Sequence, residues 1–148
     1  MNQNLFFTPT DILLPAHADM RRWSVIACDQ FTADAGYWQA VQDTVGDAPS
    51  TLRLMLPEFY LGKCDEAAAT REIQQTMRRY LDDGVFRTVP HSLVLVQRTL
   101  PGGAIRCGIV GALDLEAYDY APDSVTPIRA TEGTVASRLP ARVRIRAA

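Results

Sequence analysis

Two β-prone runs, residues 92–100 and 105–113, flank the segment Pro101-Gly102-Gly103-Ala104, and this arrangement constrains the fold more than any other stretch of the chain. Paired glycines permit the tight reversal that joins antiparallel neighbours, so the two runs are expected to form a β-hairpin. Consecutive strands of a doubly wound parallel sheet are instead separated by crossover helices. Helices are nevertheless present in the pattern. From about Asp65 to Asp82, Ala68, Ile73, Met77, Tyr80 and Leu81 supply an apolar stripe, Asp65 and Glu66 favour the positive N-terminal end, and Gly84 closes the segment. Hairpin and helices together imply an α+β fold, with a mixed or mainly antiparallel sheet and two or three packed helices.

The remaining segments fill in this outline. Trp23 to Cys28 is short, apolar and bounded by charged residues, the pattern of a buried strand. Thr32 is placed to cap a helix running from Ala33 to about Val45, with Tyr37, Trp38, Val41 and Val45 at helical spacing and Gly46 as the stop. Leu52, Leu54 and Leu56 alternate with Arg53 and Met55 as in a half-buried strand ending at Pro57. Leu115 to Tyr120 reads as a helical turn or loop, Val125 to Ala130 as an edge strand carrying Pro127, and Thr8 to Pro15 as an arm across the domain. No internal repeat or linker interrupts the 148 residues, so residues 1–148 are expected to form one domain, long enough to bury roughly two-thirds of its unfolded surface. Val143 to Ala148 reads as an element still in progress, which suggests the N-terminal portion of a longer protein.

Charge and cysteine usage narrow the function classes. A net charge of −2 argues against general nucleic-acid binding, which needs a positive surface to neutralise phosphates. The balance is uneven, however: from Arg129 onward there are five arginines against one acid, Glu132, and that tail could meet an anion. Cys28, Cys64 and Cys107 are odd in number and lack CxxC spacing, so they are expected to be reduced, partly buried thiols. The N-terminus carries no basic leader, and Pro9, Asp11 and Pro15 interrupt any apolar run, so neither a signal peptide nor a membrane span is expected and the location is expected to be cytoplasmic.

Three groups of side chains could carry chemistry. Glu132 and Thr134, beside Arg129 and Thr131, combine a carboxylate, hydroxyls and a guanidinium, which can hold a cation, act as a base or clamp an oxyanion. The alternative is that Thr131 or Thr134 caps a following helix with Glu132 in its first turn. Arg138, Arg142, Arg144 and Arg146 suit phosphate or carboxylate recognition, although their spacing does not place all four on one helical face, and a solvated or normally covered surface is the other reading. Asp29, with Gln30 and Thr32, follows the first expected strand, a usual ligand-binding position in α/β units, against the alternative of a turn in which it bonds backbone amides. Neither His17 nor His91 shares a motif with Cys28 that would make a nucleophile of it. Asp114, Glu116 and Asp119 follow no metal-binding spacing, there is no Walker P-loop, and no metal site is expected.

The strings from Trp23 to Thr32, Tyr37-Trp38, Pro49-Ser50-Thr51-Leu52, Arg106 to Glu116, Tyr118-Asp119-Tyr120 and Ile128 to Thr134 together resemble, in order and over nearly the whole chain, the N-terminal part of the bacterial domain of unknown function 1015 family. That family is similar to the ParB- and sulfiredoxin-like group, which includes an archaeal kinase that phosphorylates free serine with ADP. Other branches carry a His-Glu-x-Thr box, to which Glu132 and Thr134 correspond while Ala130-Thr131 stands in the histidine context. Asp29 corresponds to the aspartate of a Pro-Tyr-Asp string, here preceded by Ala27-Cys28. Full-length relatives run on well past this length and carry an Asp-Gly-His-His-Arg or Asp-Gly-Asn-His box, a string this chain does not contain.

The resemblance implies a nucleotide-dependent phosphotransferase acting, in the full-length protein, on a small hydroxyl compound such as free serine, with ADP or ATP and magnesium as cofactors. In that reading Glu132 orients the acceptor or the magnesium ion, Asp29 joins it as the second catalytic carboxylate, Thr134 bonds phosphate, and Arg129 or Arg138 stabilises charge on the transferred group. The alternative is a non-catalytic nucleotide-binding or regulatory module of the ParB-like group. Expected partners are a small-molecule substrate and a nucleotide, with no membrane and no nucleic acid.

Overall fold

Asp65 behaves as an acidic residue ahead of an apolar-striped segment should: its carboxylate accepts the Ala67 and Ala68 backbone N–H groups at 3.0 Å each and starts the longest helix of the protein. The computed structural model describes residues 6–27, 31–119, 121–129, 133 and 135–147, with the backbone alone at Arg138. In chain order these form β1 (Phe7–Thr8), β2 (Thr10–Pro15), α1 (Met20–Trp23), α2 (Ala35–Val45), α3 (Glu66–Asp82), β3 (Phe86–Ser92), β4 (Val94–Thr99), β5 (Ile105–Val110), β6 (Ala112–Leu113), β7 (Tyr118–Asp119), β8 (Ile128–Arg129) and α4 (Leu139–Arg146). Short 3-10 turns occupy Thr51–Leu54, Glu58–Tyr60, Leu115–Ala117 and Ala136–Arg138. The fold is α+β. Its described strands form four two-stranded pairs, β1 with β6, β2 with β3, β4 with β5 and β7 with β8.

The chain divides into two compact units, a strand unit of Met1–Leu14 and Thr88–Thr134, and a helical unit of Pro15–Arg87 and Val135–Ala148. In the strand unit the expected hairpin forms: β4 and β5 pair antiparallel from Val94↔Val110 to Thr99↔Ile105, and Gly102 and Gly103 take positive φ values of 93° and 85° in the turn. β1 pairs antiparallel with β6, and this contact explains Gly111. A Cβ there would lie 2.7 Å from Leu93 Cδ2 and 2.8 Å from both Phe7 Cζ and the Thr8 carbonyl oxygen, so only glycine lets the backbones approach. The segment expected as an edge strand shortens to β8, which pairs parallel with β7 as Tyr118↔Ile128 and Asp119↔Arg129.

The helical unit holds the core. Trp23, Trp38, Val45, Ile73 and Tyr80 are buried, and Trp23 packs edge-on against Phe86 with ring centroids 5.5 Å apart. The inner stripe of α3 is Thr70, Ile73, Thr76 and Tyr80, whereas Leu81, expected inside, is exposed. The buried threonines are tolerated because the Thr70 hydroxyl donates to the Glu66 carbonyl at 2.7 Å and Thr76 accepts from Arg79 at 2.8 Å. α2 ends at Gly46 as its sequence requires (φ 53°), but its cap is Asp34, two residues after Thr32, because the Asp34 carboxylate reaches the Tyr37 N–H at 2.9 Å.

Two expected strands do not form, for related reasons. Trp23 closes α1, residues 24–27 have no regular structure, and Cys28 lies outside the described residues. The acceptors a strand would offer to a ladder are taken by side chains: the Trp23 carbonyl receives the hydroxyls of Thr51 (2.7 Å) and Ser50 (3.3 Å), and the Ile26 carbonyl receives the Tyr37 hydroxyl (2.5 Å). Residues 52–56 begin as a 3-10 turn instead of a strand because Ser50 Oγ accepts the Leu52 N–H at 3.2 Å while its carbonyl accepts the Arg53 N–H. Cys64 and Cys107 are free, as expected, but exposed instead of partly buried.

Ser50 is fully buried, and both its hydroxyl and that of Thr51 serve one carbonyl, so each can partly compensate for loss of the other. Ser50→Ala and Thr51→Val are each expected to destabilise the chain by about 1–2 kcal/mol, and the double variant by more than the sum, because only then is a helix-terminal carbonyl left without a partner. Urea unfolding of the three variants measures this. Gly111→Ala is expected to cost about 1–3 kcal/mol by overpacking against Leu93, Phe7 and the Thr8 carbonyl, read in the same way.

Candidate functional site

Helix α4 turns the arginine-rich tail into two groups with different roles. Arg144 donates to Glu66 at 2.8 Å, and its backbone carbonyl accepts from Gln74 at 2.9 Å, both on α3. Glu66 is shared, since its other carboxylate oxygen accepts the Gly62 N–H at 3.0 Å. Arg142 forms an ion pair with Glu58 at 3.1 Å. Exposed pairs of this kind contribute roughly 0.2–1 kcal/mol each, so their main effect is to set where α4 lies against α3 and the Glu58–Tyr60 turn.

Arg142 and Arg146 are four residues apart and therefore share one face of α4. That face borders a cleft of about 440 Å3, within the range of small-molecule sites of roughly 300–1,000 Å3. Trp38, Met77 and Ile145 contribute apolar surface to its lining, and Thr32, Glu58, Arg142 and Arg146 contribute polar groups. Trp38 is held in place by its indole N–H, which donates to the Phe31 carbonyl at 2.8 Å. Arg146 makes no ion pair with a described residue. Apolar surface beside guanidinium groups suits a ligand that joins an anionic end to an apolar or aromatic body.

The residues expected from sequence to form a site are distributed differently. Asp29, Glu132 and Thr134 lie outside the described residues, as do Gln30 and Thr131. Arg129 is on β8 of the strand unit, opposite Asp119. Arg138 ends the 3-10 turn before α4, and its side chain is outside what the structure describes. Among the described residues no group of three or more His, Cys, Asp or Glu side chains could hold a metal ion, and no helix is long and apolar enough to cross a membrane. The structure adds Thr32, Trp38 and Met77 to the arginine tail as one cleft. The i, i+4 relation of Arg142 and Arg146 was the sequence signal available for it; the contribution of Trp38 and Met77 depends on tertiary packing.

The family described as Protein of unknown function (DUF1015) matches residues 9–148. No curated protein and no solved structure matches the chain.

If the pairs to Glu66 and Glu58 hold α4 in place, Arg144→Ala should speed amide hydrogen exchange in residues 139–146 while leaving α3 protection nearly unchanged. The wild-type protection of α4 should also fall as salt is raised, because exposed ion pairs are screened.

Proposed function

The chain belongs to the DUF1015 family of proteins of unknown function, and from that premise we propose that the α4 cleft binds a nucleotide which the full-length protein uses to phosphorylate a small hydroxyl compound such as free serine. The observation that carries this reading is the meeting of Arg142 and Arg146 with Trp38 and Met77 in one cleft. A nucleotide needs both kinds of surface, cationic donors for its phosphates and apolar contact for its base. The reaction class is taken from what the sequence resemblance implies, a relation to the ParB- and sulfiredoxin-like group with its ADP-dependent serine kinase. Glu132, Asp29, Thr134, Arg129 and Arg138 keep the roles the resemblance implies, with magnesium as the ion that bridges phosphate oxygens in such reactions.

Calorimetry of the chain with ADP and with ATP, each with magnesium, tests the binding step. Saturable binding is expected, and Arg146→Ala should weaken it by about tenfold, the effect of losing one charge-assisted contact. Absence of binding, or an unchanged affinity in Arg146→Ala, would sink the assignment of the cleft. The full-length protein is then assayed with serine and other hydroxyl compounds, where ADP should yield AMP and a phosphorylated acceptor. Nucleotide binding without any phosphorylated product would instead support the non-catalytic regulatory module, for which scattering should report a nucleotide-dependent change in assembly.

A further inference from the structure

The helical unit contains a second, larger concavity of about 560 Å3 where the Thr51–Leu54 turn packs against α3. Its lining shares only Met55, Leu56 and Pro57 with the α4 cleft. Arg53 from the turn and Arg79 from the last turn of α3 both line it, together with the buried Thr76, and the same three residues border an adjoining recess of about 320 Å3.

Both guanidiniums are already oriented, and by neutral groups. Arg53 donates from Nε to the Ala48 carbonyl at 3.2 Å and from Nη2 to the Gly46 carbonyl. Arg79 donates from Nη2 to the Thr76 hydroxyl at 2.8 Å. Glu72 lines the larger concavity and Asp47 and Asp83 line the adjoining recess, but neither arginine forms an ion pair with these or any other described residue. A guanidinium has five N–H donors, so each arginine retains donors after these contacts. Fixing the side chains in advance lowers the ordering cost of binding, and the positive charge remains available for an oxyanion. Leu52, Met55 and Ile73 add apolar surface to the same lining.

We propose that this concavity binds a small organic anion, an oxyanion head on an apolar body, with Arg53 and Arg79 taking the head and Leu52, Met55 and Ile73 the body. The site is distinct from the α4 cleft and does not depend on the nucleotide reading.

Calorimetry of the chain with inorganic phosphate, butyl phosphate and butyrate tests it, the last two separating phosphate from carboxylate heads. At least one of the organic anions should bind, and more tightly than inorganic phosphate. Arg79→Gln should weaken that binding by about tenfold or more, Arg79→Lys should fall between the two, and Arg146→Ala should leave it unchanged. Arg79 is exposed on α3 but donates to the buried Thr76 hydroxyl, so circular dichroism and urea unfolding of these variants are measured alongside to separate loss of fold from loss of binding. No binding of either organic anion at tens of millimolar overturns the proposal, as does binding that is lost in Arg146→Ala or that, measured in Arg146→Ala so that the α4 cleft does not contribute, survives the added Arg79→Gln. Inorganic phosphate binding as tightly as butyl phosphate would remove the apolar half of the site and overturn it likewise.

Discussion

The helical unit depends on how one backbone carbonyl is satisfied. α1 ends at Trp23, and a helix-terminal carbonyl near a buried aromatic cannot be left without a donor at small cost. Ser50 and Thr51 both donate to it, and the Ser50 N–H donates in turn to the Tyr80 hydroxyl at 3.0 Å. These contacts fasten the end of α1, the turn after Pro49 and the last turn of the core helix α3 to each other. They also hold Trp23 and Tyr80 together, with ring centroids 6.1 Å apart, and let Phe86 close on both. The Pro49-Ser50-Thr51-Leu52 string therefore has a structural role, and the residues that follow it, Met55 to Pro57, line both clefts of this unit because the string fixes where they start.

The same contacts explain which parts of the fold could be read from sequence. α3 and the β4–β5 hairpin were legible because their determinants are local: Asp65 caps within three residues, and Gly102-Gly103 reverse the chain between runs that need only each other. Residues 23–28 and 52–56 have strand-like composition, but hydroxyl donors 11 to 28 positions away capture the Trp23 and Ile26 carbonyls, where periodicity carries no information about partners, and Ser50 draws the Leu52 and Arg53 N–H groups into a 3-10 turn. β3 was hidden by its own sequence. It contains Pro90, which cannot donate to a ladder, and His91 at a φ of 45°, whose N–H is taken by the Asp11 carboxylate at 2.9 Å. Trp38 and Val45 were read correctly as the inner face of α2, whereas the displacement of its cap from Thr32 to Asp34 reflects the shorter reach from Asp34 to the Tyr37 N–H.

For the site, the sequence conveyed residue type better than arrangement. The arginine tail was visible, and its alternation at 142, 144 and 146 becomes a division of contacts once the segment is a helix, with Arg144 turned to Glu66 on α3 and Arg142 and Arg146 bordering the cleft. No composition argument could assign Trp38 or Met77 to that cleft, because they come from separate helices and meet it only through packing. Arg53 and Arg79 were unremarked for a similar reason. Each looks like a solvated charge within its own element, and their shared position becomes apparent only when the 3-10 turn replaces the expected strand.

The arginines also differ in what binding would require of them. Arg142 already has Glu58 as a counter-ion, so an anion that uses it must compete with a tethered carboxylate, and its net gain is the difference between two similar charge-assisted contacts. Arg146 faces no such competition from a described residue, and Arg53 and Arg79 are held by carbonyl and hydroxyl oxygens that neutralise nothing. An anion in the α4 cleft would therefore gain mainly through Arg146, while Glu58 offsets the charge of Arg142 and leaves the lining with one net positive charge. Because Glu58 is less exposed than Arg142, with side chains 22% and 54% accessible, the guanidinium is the partner better able to swing toward an incoming anion.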